Sequence, residues 1–285
     1  MPAEPRPVLV TGANRSGTTW VGKVLGRSPQ LEYVWEPFNP LVRAWPHNRV
    51  PYFFTGPYDA QPAIDEISDA VLRLRSRGHV YGPHPETVAR EIRRRWQFRD
   101  ARRHHRVPLL KDPLAVLLAR HLQDRHDMTV VLCVRHPAGF VSSLMRLGWD
   151  YDFENLLAQP QLMKRLEPWR AEMEPTLGRT GPMLHRVTLF WRVVYGSMLD
   201  GDLAPRDPFV VRHEESSAAP VETFRALFDR VGVPFSPDIE AAAVAEADVA
   251  LSESWRTRLT AEDIAYIRET TQPEAVRWGY DDTAW

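Results

Sequence analysis

Apolar and polar positions follow two periods along this chain. Short runs of consecutive apolar residues, PVLVTG (7–12), VPLLKD (107–112), MTVVLCVRH (128–136) and PFVVRHEE (208–215), are each followed by a segment with helical spacing. Those segments are TTWVGKVLGRS (18–28), PLAVLLARHLQDR (113–125), PAGFVSSLMRLG (137–148) and PVETFRALFDRVG (220–232). Unbroken apolar runs suit strands buried on both faces, and apolar residues every three or four positions suit helices that cover them. The alternation predicts an α/β fold: an open parallel β-sheet flanked by helices and joined by right-handed crossovers. In sheets of this kind ligands bind at the carboxyl ends of the strands.

Two stretches break the pattern. Residues 36–60 are rich in proline and aromatics, and residues 149–182 form a mixed insertion that starts WDYDFENLL. Their Trp, Tyr and Phe content is costly to leave in water, which argues against flexible linkers and for lids over a site. With no repeat or low-complexity segment, the expected organisation is one domain over 1–285, with acceptor-side insertions at about 36–105 and 149–182.

Charge changes this picture only locally. A net charge of -1 gives no bulk attraction to nucleic acid or to an anionic membrane, so an anion site has to be built from particular residues. The segment 86–106 has eight arginines after Thr87, and a solvated surface helix is its plainer reading, with a polyanion-binding face as the alternative. The adjacent His104 and His105 do not share a helix face, and no metal is expected there or elsewhere. Cys133 is the only cysteine and sits within an apolar run, so it reads as a core residue. The N-terminal MPAEPRPVLVTG has no apolar run of signal or membrane-anchor length, and no transmembrane segment is expected. The expected setting is cytoplasmic, as in a soluble bacterial enzyme.

Candidate chemistry concentrates at the strand ends. After the first strand comes GANRSGTTW: Gly12, four residues, Gly17, then Thr18-Thr19 where a nucleotide triphosphatase has Lys-Ser or Lys-Thr. The turn can still aim backbone N–H groups and a helix dipole at one anion, with Ser16, Thr18 and Thr19 adding hydroxyls and Arg15 a permanent positive charge. No acidic residue at a later strand end looks suited to hold nucleotide-bound magnesium, so the ligand is expected to be phosphorylated and metal-free. Only Lys23, Lys111 and Lys164 are lysines, and Lys111 falls at a strand end in LLKDP.

These residues resemble the P-loop sulfotransferases that use 3′-phosphoadenosine 5′-phosphosulfate. NRSGTTW is similar to the family's 5′-phosphosulfate loop in its carbohydrate and tyrosine-protein form. VLCVRHPAGFVSSL resembles its 3′-phosphate segment, with Arg135, Pro137 and Ser143 in the matching positions. LLKDP looks like the Lys-Asp-Pro strand end of the tyrosine-protein enzymes. FVVRHEE resembles the late Arg-Tyr-Glu-Asp unit, with His213 in place of the tyrosine. SESWRTRLT and the later WGY resemble the C-terminal segment that closes over the nucleotide.

The resemblance implies a P-loop-type fold, with Arg15, Ser16, Gly17, Thr18, Thr19, Trp20, Arg135 and Ser143 binding the cofactor. Trp255 and Arg256 are candidates on its adenine and 3′-phosphate side. It implies adenosine 3′,5′-bisphosphate as product, Arg15 and Lys111 on the transferring group, and Glu36, in YVWEPFNP, as general base. A surface glutamate in a proline-bounded turn is the alternative for Glu36. The position where cytosolic enzymes carry a catalytic histidine is Pro113, which favours Glu36.

The acceptor is expected to be a small-molecule or glycan hydroxyl, of a carbohydrate or secondary metabolite, with a tyrosine peptide or phenol as the alternative. Trp35, Phe38, Trp45, Tyr52, Phe53, Phe54, Trp149, Tyr151 and Phe153 make an aromatic cleft plausible, although some of them also suit a core. A kinase with a degenerate loop and a non-catalytic bisphosphate-binding protein are weaker readings. The first lacks its lysine and magnesium ligand, and the second does not need Glu36, Arg15 and Lys111.

Overall fold

The computed structural model describes residues 6–39, 58–75 and 85–285. Five parallel strands form the framework: β1 (Val8–Thr11), β2 (Leu31–Trp35), β3 (Val107–Lys111), β4 (Thr129–Val134) and β5 (Phe209–Arg212). Their spatial order is β2-β3-β1-β4-β5. Every residue of β1 and β4 is buried, as their unbroken apolar runs require.

From β1 the chain passes through helix α1 (Thr18–Leu25) to the edge strand β2, and β3 later inserts between them. Helices α2 (Gln61–Leu72) and α3 (Pro85–Arg103) lie between β2 and β3 in sequence. After β3, helix α4 (Ala119–His126) leads across β1 to β4 on its other side. The order therefore reverses at β1, and the crevice at its carboxyl end is where such sheets bind ligands.

The two-residue period of β1 divides the core. Val8 and Val10 pack with α1 and with the helix Pro220–Val231 in a layer that also holds Cys133. Leu9 faces the larger core, with helix α5 (Pro137–Leu147) and the helices Met183–Ser197 and Ala261–Arg277. Cys133 is a buried free thiol, and burial pushes its ionisation well above the ordinary range.

The expected helix over 113–125 divides in two. Asp112 accepts from the Leu114 N–H and Pro113 has no N–H to offer, so Pro113–Leu118 starts as a tight 3₁₀ turn before α4 begins at Ala119. The 149–182 segment is a chain of short turns, in which Pro160, Pro168 and Pro175 each restart a helix. Tyr151 and Phe153 are buried in the larger core, with Tyr151 stacked on Phe190 at 4.1 Å, so this segment is anchored from beneath.

Candidate active site

The turn after β1 is held by close backbone approach. A Cβ on Gly12, at φ 145°, would lie 2.2 Å from the Cys133 carbonyl oxygen, so only glycine lets β1 pass β4 this closely. Gly17, at φ 92°, caps α1 and faces the His213 ring. Between them Arg15 has φ 72°, a conformation that costs a non-glycine residue about 1–3 kcal/mol and persists where the surroundings impose it.

Tyr195, on the helix Met183–Ser197, supplies much of that constraint. Its hydroxyl accepts from the Ala13 N–H (3.2 Å), lies 2.6 Å from Ser16 Oγ and donates to the Cys133 carbonyl (3.0 Å). Sequence reasoning missed Tyr195, because no motif marks a tyrosine inside an ordinary helix.

The turn and the start of α5 meet. Arg15 Nε donates to Ser143 Oγ at 3.2 Å, and Arg135 Nη1 donates to the Arg15 carbonyl at 3.0 Å. Arg135 follows the last residue of β4, and α5 starts cleanly after it because His136 Nδ1 accepts from the Ala138 N–H while Pro137 opens the helix. Burial, then the repulsion of Arg146, lowers the pKa of Arg15. Burial also lowers that of Arg135, with Glu214 opposing and Arg15 adding to the shift. The result is a cationic group gathered from two strand ends, with Arg135 buried and Arg15 reaching out to solvent. Arg146 belongs to its electrostatics and was not singled out in the sequence.

Several hydrogen-bond donors around this group lack acceptors. Arg135 Nε, Trp255 Nε1, Trp20 Nε1 and His136 Nε2 are buried without a partner. Burial, reinforced by Arg256 and Arg135, lowers the His136 pKa to about 3. Its Nδ1 is the acceptor at the α5 cap, so the neutral ring carries its proton on Nε2, which is a donor as well. His213 is likewise lowered to about 3, by burial and then by Arg135 and Arg15, and its Nδ1 is unpartnered. Each unmet buried donor costs about 1–3 kcal/mol. A ligand made of acceptor oxygens would relieve several at once.

The C-terminal segment closes one side. Trp255 is buried, stacks on His136 at 4.9 Å and 9°, and has the Arg256 guanidinium 4.3 Å from its ring centre. Its ring is thereby already engaged by stacking and cation contacts, while its Nε1 lacks an acceptor. Arg256 also pairs with Glu253 at 2.6 Å. Glu214, next to His213, accepts from the His136 N–H (3.1 Å) and from Tyr280 Oη (2.8 Å), and burial raises its pKa.

A second group forms where β2 and β3 end. The pairing register sets Trp35 against Lys111, and the Glu36 N–H continues the ladder by donating to the Lys111 carbonyl at 2.8 Å. Lys111 Nζ lies 2.5 Å from Glu36 Oε1, with both side chains largely buried, and Asn39 Nδ2 donates to Glu36 Oε2 at 2.7 Å. Glu36 itself has φ 42°. Asp112 holds the turn: its carboxylate accepts from the Phe38 N–H (2.6 Å) and the Leu114 N–H (2.9 Å). Burial pushes the Asp112 carboxyl up to about 7, more than these two bonds pull it down.

The structure therefore brings together Arg15, Ser16, Arg135, Ser143 and Trp255 on one side, and Glu36 with Lys111 on the other. Thr18 is buried in the first turn of α1, where Thr19 and Trp20 also lie, and Trp20 packs edge-on against Phe224 and His213. Of the aromatic cleft, Phe38, Tyr151 and Phe153 are core, whereas Trp35 and Trp149 are about half exposed. Trp45, Tyr52, Phe53 and Phe54 lie outside the described residues. Among the described residues, no three His, Cys, Asp or Glu side chains cluster as a metal site, and no helix is long and apolar enough to cross a membrane.

An open, parallel α/β sheet with buried cations at its carboxyl edge defines the class of this protein. The chain belongs to the sulfotransferase family, which it matches over residues 7–237. It is 29% identical to carbohydrate sulfotransferase 2 of Mus musculus over 212 residues, and 28% identical to the Homo sapiens protein of that name over the same length. These alignments cover 61% of this chain but 37% of each relative, so the chain spans little more than a third of the curated proteins it matches.

Solved structures agree on the fold. The sulfotransferase domain from the curacin biosynthetic pathway superposes with a TM-score of 0.55 at 15% identity, over 97% of this chain and 98% of that one. The sulfotransferase domain of the Synechococcus PCC 7002 olefin synthase gives 0.53 at 17%, over 98% of both chains.

Proposed function

We propose that this protein transfers a sulfuryl group from 3′-phosphoadenosine 5′-phosphosulfate to an acceptor hydroxyl and acts as one domain over 1–285. The observation that carries this reading is the set of buried donors without acceptors around Arg135, His136 and Trp255, because phosphate oxygens are the partners such a set lacks. Bound there, the donor molecule supplies an activated sulfuryl group on a phosphate leaving group. Arg135, Ser143 and Arg15 hold its 3′-phosphate side. The N–H groups of Gly17, Thr18 and Thr19 at the start of α1, with the Ser16 and Thr18 hydroxyls, face the 5′ side. Trp20 and Trp255 are walls that offer a ring N–H, and Arg256 fixes Trp255 in place.

Glu36 is the general base that takes the acceptor proton, and Lys111 is the cation that supports the departing oxygen. Catalysis of this kind is mostly positioning and electrostatic stabilisation. In the structure these two side chains neutralise one another, so Lys111 has to exchange Glu36 for an incoming oxyanion before Glu36 is free to accept a proton. Asp112 fixes the geometry of the exchange through the 36–39 turn. Arg15 reaches Ser143 rather than Glu36, which fits it to phosphate binding more than to the transferring group.

Likeness to the carbohydrate sulfotransferases favours a sugar hydroxyl as acceptor, with a secondary-metabolite hydroxyl as the near alternative and tyrosine peptides or phenols behind them. The test is incubation with labelled 3′-phosphoadenosine 5′-phosphosulfate and a panel of hydroxyl compounds, with and without a chelator, beside labelled ATP with magnesium. Label transfer from the sulfonucleotide that is indifferent to the chelator supports the reading. Phosphoryl transfer from magnesium-ATP alone overturns it.

A further inference from the structure

The basic helix α3 meets the β2 edge of the sheet, which is terminal among the described residues. Strand β2 is terminal in the sheet order, and a cavity of about 250 Å³ along it is lined by Tyr33, Val34, Trp35, Arg93, Arg94, Gln97 and Phe98. We propose that this groove receives an oxyanion carried by the acceptor, a carboxylate or a sulfate, and so selects acidic acceptors over neutral ones. The inference rests on the sulfotransferase reading and names the acceptor's chemistry.

Three observations support it. The groove adjoins the reacting corner: the Trp35 ring centre is 5.9 Å from Lys111 Nζ, which is itself 2.5 Å from Glu36 Oε1. Tyr33, which lines the same groove, has its hydroxyl pushed up to about 12 by burial and then by the charge of Glu36. A group held in the groove is therefore close to a hydroxyl presented to Glu36.

The charge is also uncommitted. Arg106 is paired with Glu32 and Asp100, and Gln97 donates to Glu32, so these two acidic groups near the β2 edge are taken. Arg102 bonds the Leu74 carbonyl, and Arg99 lies over Trp96. Arg93 and Arg94 have no carboxylate partner among the described residues, and their planar forks match carboxylate and sulfate oxygens.

Size and shape point the same way. Drug-sized ligands occupy about 300–1,000 Å³, so this groove suits a single ring or residue of a larger acceptor. Trp35, 50% exposed, offers that unit an aromatic face.

The test uses three probes on one skeleton: p-nitrophenyl β-D-glucuronide, its 6-sulfated glucoside counterpart and the neutral glucoside. Each is titrated calorimetrically into the full chain saturated with adenosine 3′,5′-bisphosphate, and then into Arg93→Ser/Arg94→Ser. Both anionic probes are expected to bind about ten- to a hundredfold tighter than the neutral one, the scale of a charged hydrogen bond. The double substitution is expected to abolish that preference while the affinity for the bisphosphate stays the same. Equal binding of all three, binding of none, or a preference that survives the substitution overturns the inference. Failure of the bisphosphate to bind the unsubstituted chain is a separate result, which counts against the sulfotransferase reading itself.

Discussion

The two halves of the site are built on opposite principles. Around Arg135 the structure leaves buried donors unmet on Arg135, His136, Trp20 and Trp255. Around Glu36 the site closes on itself: Lys111 and Asn39 occupy both carboxylate oxygens, and Asp112 accepts from two backbone N–H groups. Unmet buried donors are costly and persist where a ligand completes them. A self-satisfied ion pair holds its carboxylate in place until a competing charge enters. Under the proposed function the first half is the binding surface for phosphates and the second a latched reactive pair.

The sharpest way to break this contrast is to disable the second half alone. Glu36→Gln keeps the shape of the side chain and removes the proton acceptor, so the transfer rate is expected to fall about 10²- to 10⁴-fold, the usual contribution of a general base. Bisphosphate affinity should not fall, because the substitution also releases Lys111 from its ion pair, as calorimetry on the same preparation would report. Arg135→Ala attacks the first half. Loss of a charge-assisted contact is expected to weaken bisphosphate binding by about 1.4–2.7 kcal/mol, with Arg135→Lys recovering part of it.

Two smaller effects sharpen the contrast. Gly12→Ala drives a methyl group into the Cys133 carbonyl and is expected to cost on the order of 1–3 kcal/mol of stability, read as a lower denaturation midpoint. His136→Asn tests the buried neutral ring. Its pKa is about 3 in the fold against an ordinary 6.5, so as pH falls below 6.5 the unfolded chain takes up a proton that the native state refuses. Stability from this group is present above that pH and lost below it. Asparagine keeps a cap acceptor and does not titrate. Unfolding free energies from urea titration should therefore shift in the variant's favour by up to about 1.4 kcal/mol per unit of falling pH between about pH 6 and pH 4, on top of a constant offset from the lost stacking.

Much of this was legible in the chain. The apolar runs give four of the five strands, and the Arg-Ser-Gly-Thr-Thr turn and the Arg135 to Ser143 spacing point to groups that prove to be in contact. What was hidden depends on long-range register. Glu36 and Lys111 are 75 residues apart, and they meet only because β2 and β3 pair with Trp35 opposite Lys111. Tyr195 pins the loop from the middle of an unremarkable helix. His136 reads as the end of a strand, yet its ring caps α5 and packs against Trp255, Tyr280 and Trp285. The basic helix reads as a solvated face, and only its position beside the sheet edge singles out Arg93 and Arg94 from their neighbours.

The most direct test is calorimetric titration of adenosine 3′,5′-bisphosphate, without metal, into the unsubstituted chain, Arg135→Ala and Glu36→Gln. The account predicts tight binding to the first, weakening of about ten- to a hundredfold in the second and no loss in the third. Equal affinity in all three, or loss in the glutamine variant as large as in the alanine one, would contradict the division of the site into a phosphate-binding half and a reactive half.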